Sequence, residues 1–208
     1  SVILRNVIAD SFEVDSLTDQ FLTVRAEGLT DIGATTVRTS SYLEDLTDDG
    51  LGLRVITLDG ESGTRLQLAG NIKEVIDRTP NSDLQIVQGL AHTVTMDERA
   101  TGSRLNIDNS ASIKDLNLDT GTPVTGTGSI GHLNVNAAGS NVETLPDTIT
   151  VRPGINSTIK GENMDSTAAA ESSEDPRLLS GYPIMRDVAP TTATAVFSTN
   201  KRGTVHWA

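Results

Sequence analysis

The 208-residue chain contains no cysteine, so neither disulfides nor thiolate metal sites can hold it together. It has few aromatics: three Phe, two Tyr and one Trp. A core must therefore be built from Leu, Ile, Val and Ala, which suit thin stacked layers better than a wide sandwich. Long apolar runs are missing too. No stretch approaches the roughly eighteen residues a membrane span needs, so no membrane insertion is expected. No charged-then-apolar signal segment opens the chain, and Ser1 reads as the start of a mature or excised region. Positive charge is also scarce, with 16 Lys and Arg against 28 Asp and Glu and a net charge of −12. No basic run interrupts that balance, which sets aside nucleic acid and anionic membranes as partners.

What is present is a repeat. Leu66-Gln67-Leu68, Leu84-Gln85-Ile86 and Leu105-Asn106-Ile107 repeat one pattern at steps of about 18 and 21 residues, and Val124 follows about 19 later. A second set interleaves with the first: Ile72-Lys73-Glu74-Val75, Ile113 to Leu118, and Ile130 to Val135. Apolar residues flank a polar one in each triplet, so a strand would turn the apolar pair inward and the polar residue outward. A degenerate period of about twenty residues with short alternating triplets predicts an all-β fold, a β-solenoid of about seven turns and roughly 30–35 Å. Asn106, Asn117 and Asn134 are expected to form ladders that satisfy backbone groups at corners.

Residues 1–165 are expected to form the solenoid with an N-terminal cap and a C-terminal closure. Short strands at Val2–Leu4, Phe12–Val14, Phe21–Val24, Thr36–Arg38 and Val55–Leu58 are separated by turn-formers such as Asp59-Gly60. Ser41 to Leu46 reads as a helical turn or a lid. The repeat breaks over 142–165, where Thr148–Val151 and Thr158–Lys160 would close the rod. Residues 166–183, rich in Ser, Ala, Glu and Asp, read as a linker. Residues 184–208 read as three strands of a short antiparallel, sandwich-like segment, with Asn200–Gly203 as the hairpin loop between the last two. Within it Val196, Phe197, Val205 and Trp207 form a candidate assembly segment that could complement a neighbour by strand addition.

Gly126-Thr127-Gly128-Ser129-Ile130-Gly131-His132-Leu133-Asn134-Val135-Asn136, followed by Leu145 to Val151, resembles the right-handed parallel β-helix regions of S-layer-associated bacterial cell-surface proteins. Asn71–Val75 and Gly102–Leu105 fit the same pattern. Residues 190–207 resemble the opening strands of a fibronectin type III-like module. The resemblance implies a right-handed parallel β-helix and an extracellular or cell-surface location more than any activity; a repeated scaffold without a convergent site predicts a structural or adhesive role. Expected partners are further copies of the chain, other surface proteins, or glycans.

Some parallel β-helices cleave polysaccharides with Asp, Lys or Arg clustered on one face, so Asp77, Arg78, Asp97, Glu98, Arg99, Asp108 and Asp119 are the candidates to follow. Stacking could bring Asp97, Glu98 and Asp119 together, but acids after a strand triplet are expected to be solvated turn residues. His92, His132 and His206 lack zinc-site spacing, although His92 and His132 could stack two turns apart. The GxGxxG spacing at 126–131 leads into a strand, whereas a phosphate loop needs a helix there. No GxSxG elbow occurs. No cofactor is expected. Asp48, Asp49 and Asp59 lie in turns whose oxygens would suit a structural calcium.

Overall fold

A computed structural model describes residues 1–16, 20–48 and 50–165, and the backbone of 184–189 and 192–196. The chain divides into two units, Ser1–Thr167 and Ala168–Ala208. The first is a parallel β-solenoid of about eight turns, and no helix occurs among the described residues.

Each turn contributes two strand segments. The first three turns are β1 (Val2–Arg5) with β2 (Ile8–Val14), β3 (Leu22–Gly28) with β4 (Asp31–Val37), and β5 (Ser41–Thr47) with β6 (Leu53–Leu58). The next is β7 (Arg65–Ala69) with β8 (Ile72–Asp77). Two turns are single bent strands, β9 (Asp83–Met96) and β10 (Arg104–Leu118). The last two are β11 (Pro123–Gly126) with β12 (Ser129–Val135), and β13 (Asn141–Val142) with β14 (Thr148–Val151). At about 4.8 Å per turn the stack rises about 38 Å. The strand β15 (Asn156–Ile159) continues the first ladder in parallel, then pairs antiparallel with β16 (Glu162–Asp165).

The repeat read from the sequence is the register of the sheet. Leu66 lies opposite Leu84, Leu84 opposite Leu105, and Leu105 opposite Val124. The column continues through Val142 to Ile159, all of it buried. A second column runs Ile56, Val75, Val94, Leu116, Leu133 and Ile149. Burying each such side chain contributes about 1.5–3 kcal/mol, so stacking these columns is the main source of stability.

Two expectations need revision. Ser41 to Leu46 is neither lid nor helix: it lies in β5, with Leu43 fully buried. Residues 148–151 still form a regular parallel turn, and closure begins only at β15 and β16.

In the second unit, β17 (Ile184–Ala189) and β18 (Thr192–Val196) pair antiparallel. Val196 ends β18 opposite Ile184. Phe197, Val205, Trp207, the expected loop at Asn200–Gly203 and the expected linker over 166–183 lie outside the described residues.

Candidate functional site

The outer faces of the turns are occupied by turn-to-turn pairing. Arg5 pairs with Glu27 at 2.5 Å, Arg25 with Glu44 at 2.8 Å, and Arg54 with Asp31 at 2.5 Å. Asp83 receives Arg65 from one neighbouring turn at 2.8 Å and Arg104 from the other at 2.9 Å. Hydrogen bonding and charge from Arg104, with Arg65 adding to it, hold the Asp83 carboxyl below the usual carboxylate range. Amides continue the pattern. Gln67 donates to Gln85 at 2.8 Å, Gln85 to Asp108 at 3.0 Å, and Asn134 to Asn117 at 2.9 Å. Asn106 donates to Thr125 and Asn117 to Thr95. These Asn therefore bond to other side chains. The corner role expected of them falls instead to Asn6 and Asn71, which accept Leu29 N–H at 2.9 Å and Leu90 N–H at 3.2 Å.

At the corner before each triplet stands a column of buried hydroxyls: Thr64, Ser82, Ser103, Thr122, Ser140 and Ser157. Ser103 Oγ accepts Ser82 N–H at 2.9 Å and donates to the Thr79 carbonyl at 2.8 Å. Ser140 Oγ accepts Thr122 N–H at 3.2 Å. These bonds satisfy corner backbone groups that the sheet ladder cannot reach. The signal was present in the sequence as a Ser or Thr two residues before each triplet.

Two acids lie inside this frame. Asp45, which the sequence reading passed over, accepts Thr47 N–H at 3.0 Å, Thr47 Oγ–H at 2.6 Å and Leu53 N–H at 3.1 Å. It braces the extra residues that make this turn longer than its neighbours. Asp77 is fully buried, accepting Thr79 N–H at 2.9 Å and the Ser82 hydroxyl. Burial pushes its carboxyl up to about 6, against those two hydrogen bonds, and the charge of Asp97 adds to the rise.

The other candidate residues do not converge. Asp97 pairs with Arg99 at 3.2 Å and Arg78 at 3.8 Å, and Asp119 accepts the Asn136 amide at 2.7 Å. Glu98 is exposed at the corner. His132 lies opposite Asp115, which lies opposite Thr93, so the register does not align His132 with His92. His206 is outside the described residues. Asp48 directly follows β5 and Asp59 directly follows β6, at different corners, and Asp49 is outside the described residues. Among the described residues no group of three or more His, Asp or Glu is placed to hold a metal ion. Gly126 serves packing: a Cβ there would meet the Ile107 carbonyl oxygen at 2.1 Å.

A polar groove of about 620 Å³ lies at the corner of the first turns. Asp15, Arg38, Asp59, Glu61 and Thr64 line it. Arg38 is held by Glu13 and donates to the Asp59 carbonyl at 3.3 Å. Gly60 lets the chain pass close to Arg38, whose carbonyl oxygen would lie 2.5 Å from a Cβ there.

No family model and no curated protein matches the chain. Among solved structures it is similar to the chitinase ChiW from Paenibacillus sp. str. FPU-7, a cell-surface-expressed multi-modular enzyme. The TM-score is 0.66 at 19% identity. The likeness is one of fold. It covers 76% of this chain and 14% of the chitinase, so the chain spans a small part of the protein it matches.

Proposed function

We propose that the chain is a non-catalytic structural and adhesive module of an extracellular bacterial surface protein or fibre. One observation carries this reading: the outward Arg, Asp, Gln and Asn side chains bond from turn to turn, as in the Arg65–Asp83–Arg104 chain, instead of converging on a common point. A face organised in this way stiffens a rod and leaves few groups to act on a substrate. A cell-surface, multi-modular protein as structural neighbour supports the setting. The proposal includes the S-layer-associated envelope and the fibronectin type III-like continuation that the sequence resembles. Its partners are copies of itself or other surface proteins. The test is adhesion: the purified chain should bind bacterial envelopes or surface-protein preparations and release no sugar from them. Sugar release without binding would refute it.

A second reading, glycan binding or polysaccharide cleavage, is favoured by the groove that brings Asp15, Asp59 and Glu61 beside Arg38. The fold neighbour's being a chitinase adds to its interest. A glycan array read on the wild type and on Asp59→Asn tests it: binding that Asp59→Asn abolishes supports the groove, and binding unchanged by the substitution removes it.

A further inference from the structure

Every arginine from Arg5 to Arg104 pairs with a carboxylate. Lys73 and Lys114, in the middle of the rod, have no ion-pair partner among the described residues. The register stacks these two lysines. Ile72 lies opposite Ala91 and Glu74 opposite Thr93, which sets Lys73 beside His92. Ile113 lies opposite Ala91 and Asp115 opposite Thr93, which sets Lys114 on the other side of His92. Val55 lies opposite Glu74, so Arg54 stands beside Lys73 in the turn before. The third to sixth turns thus present Arg54, Lys73, His92 and Lys114 in one column, bounded by Gly33 and Gly131.

Alternation gives the column its direction. Asn71 and Lys73 flank buried Ile72, and Ser112 and Lys114 flank buried Ile113, so each pair shares an outward face. Lys73 and Lys114 are exposed, and His92 is half-buried. The neighbouring column on this face, Asn71, Leu90, Ser112 and Ser129, is uncharged. Glu74 and Asp115 come one residue after the lysines, where the alternation restarts on the next face. Arg54 already holds Asp31. The free cations are therefore the two lysines.

Lys73 and Lys114 stand two rungs apart, about 9.6 Å, with His92 between them. Nucleic acid, with a charge about every 1.7 Å, would set most of its phosphates against the acids of adjoining faces. A linear polysaccharide with a carboxylate on every second sugar repeats its charge over a distance close to two rungs. Its hydroxyls suit Asn71, Ser112 and Ser129. Elsewhere the chain, at net charge −12, repels such a polymer and confines it to this column.

We propose that the Lys73–His92–Lys114 column docks a linear acidic polysaccharide, laid along the rod axis with one carboxylate at each lysine. His92 donates a ring N–H to a sugar oxygen between them. The column is separate from the groove, whose lining residues end at Thr64, and it stands without the adhesive reading.

The test is lysine acetylation footprinting of the whole 208-residue chain with hyaluronan, which carries a carboxylate on every second sugar. At low salt hyaluronan should slow acetylation of Lys73 and Lys114 and leave exposed Lys160 unchanged, and high salt should erase the difference. The double variant Lys73→Gln and Lys114→Gln alters only exposed side chains. It should bind hyaluronan about fivefold more weakly or worse, with unchanged far-UV circular dichroism and thermal midpoint. Arg152→Gln with Lys160→Gln removes the same charge elsewhere and should bind like the wild type. Polyglutamate, an acidic peptide, and uncharged chito-oligosaccharides should give no protection. A wild type without protection, equal protection of Lys160, equal loss in both double variants, or equal protection by polyglutamate would each overturn the proposal.

Discussion

Asp77 lies in register with Met96, a carboxylic acid set into a column of apolar side chains that runs from Val14 through Val37 and Leu58 and continues through Leu118. Its two hydrogen bonds come from the corner immediately after it, so the acid ties the end of β8 to the turn at 79–82. Because burial raises the folded pKa from 3.8 to about 6, the folded chain binds more protons than the unfolded chain between these values. The contribution to stability from this group is full below about pH 4 and is lost as pH rises through about 6. Urea unfolding of the wild type and Asp77→Asn at pH 4.5 and pH 7 checks the sign. The wild type should gain on the variant at the lower pH, by about 2 kcal/mol. A gain at the higher pH would contradict it.

Asp83 should behave in the opposite sense. Its carboxyl is held down by Arg104 and Arg65, so its contribution is present above about pH 4 and disappears as pH falls through the lowered folded value. Asp83→Asn should lower the urea midpoint at pH 7 and at low salt, and the deficit relative to wild type should shrink toward pH 2.5 and in high salt. A deficit indifferent to both would mean that shape, not charge, matters at this position.

The core columns predict a sharp contrast between stacked and outward apolar residues. Leu84→Ala removes a fully buried side chain between Leu66 and Leu105 and should cost about 2–5 kcal/mol in chemical unfolding. Leu46→Ala, at a mainly exposed site on β5, should stay within about 0.5 kcal/mol.

Corner glycines divide in the same way. Gly89 has φ of +92°, and a Cβ there would come within 2.1 Å of the Gly70 carbonyl oxygen in the adjacent turn. Gly63 has φ of +87° with nothing within 4 Å. Gly63→Ala should therefore cost only the backbone term of about 1 kcal/mol, while Gly89→Ala should cost clearly more because two turns must separate. Thermal denaturation of the pair ranks them.

The apolar columns were legible because Leu66, Leu84, Leu105 and Val124 keep both their spacing and their chemistry. The strand β5 was not, because its inward positions are Ser41, Leu43, Asp45 and Thr47. A corner network satisfies those polar groups, and no local pattern reveals that partner. Asp77 was legible as an acid following a strand, and its parity with Val75 pointed inward. What concealed its burial was the prior that a charge after a triplet faces water. The hydroxyl column escaped for a related reason: Ser and Thr before a strand read as turn composition until stacking places them one above another. The groove joins Asp15, Arg38, Asp59 and Glu61 from three successive turns, and only their register brings them together.

The central claim, a rod without catalysis, is tested most directly by incubating the purified chain with chitin and a panel of acidic polysaccharides while following reducing ends and unsaturated products. The account predicts no product above a boiled control, and the same result for Asp59→Asn and Glu61→Gln. Product formation by the wild type that either substitution abolishes would contradict it and make the groove an active site.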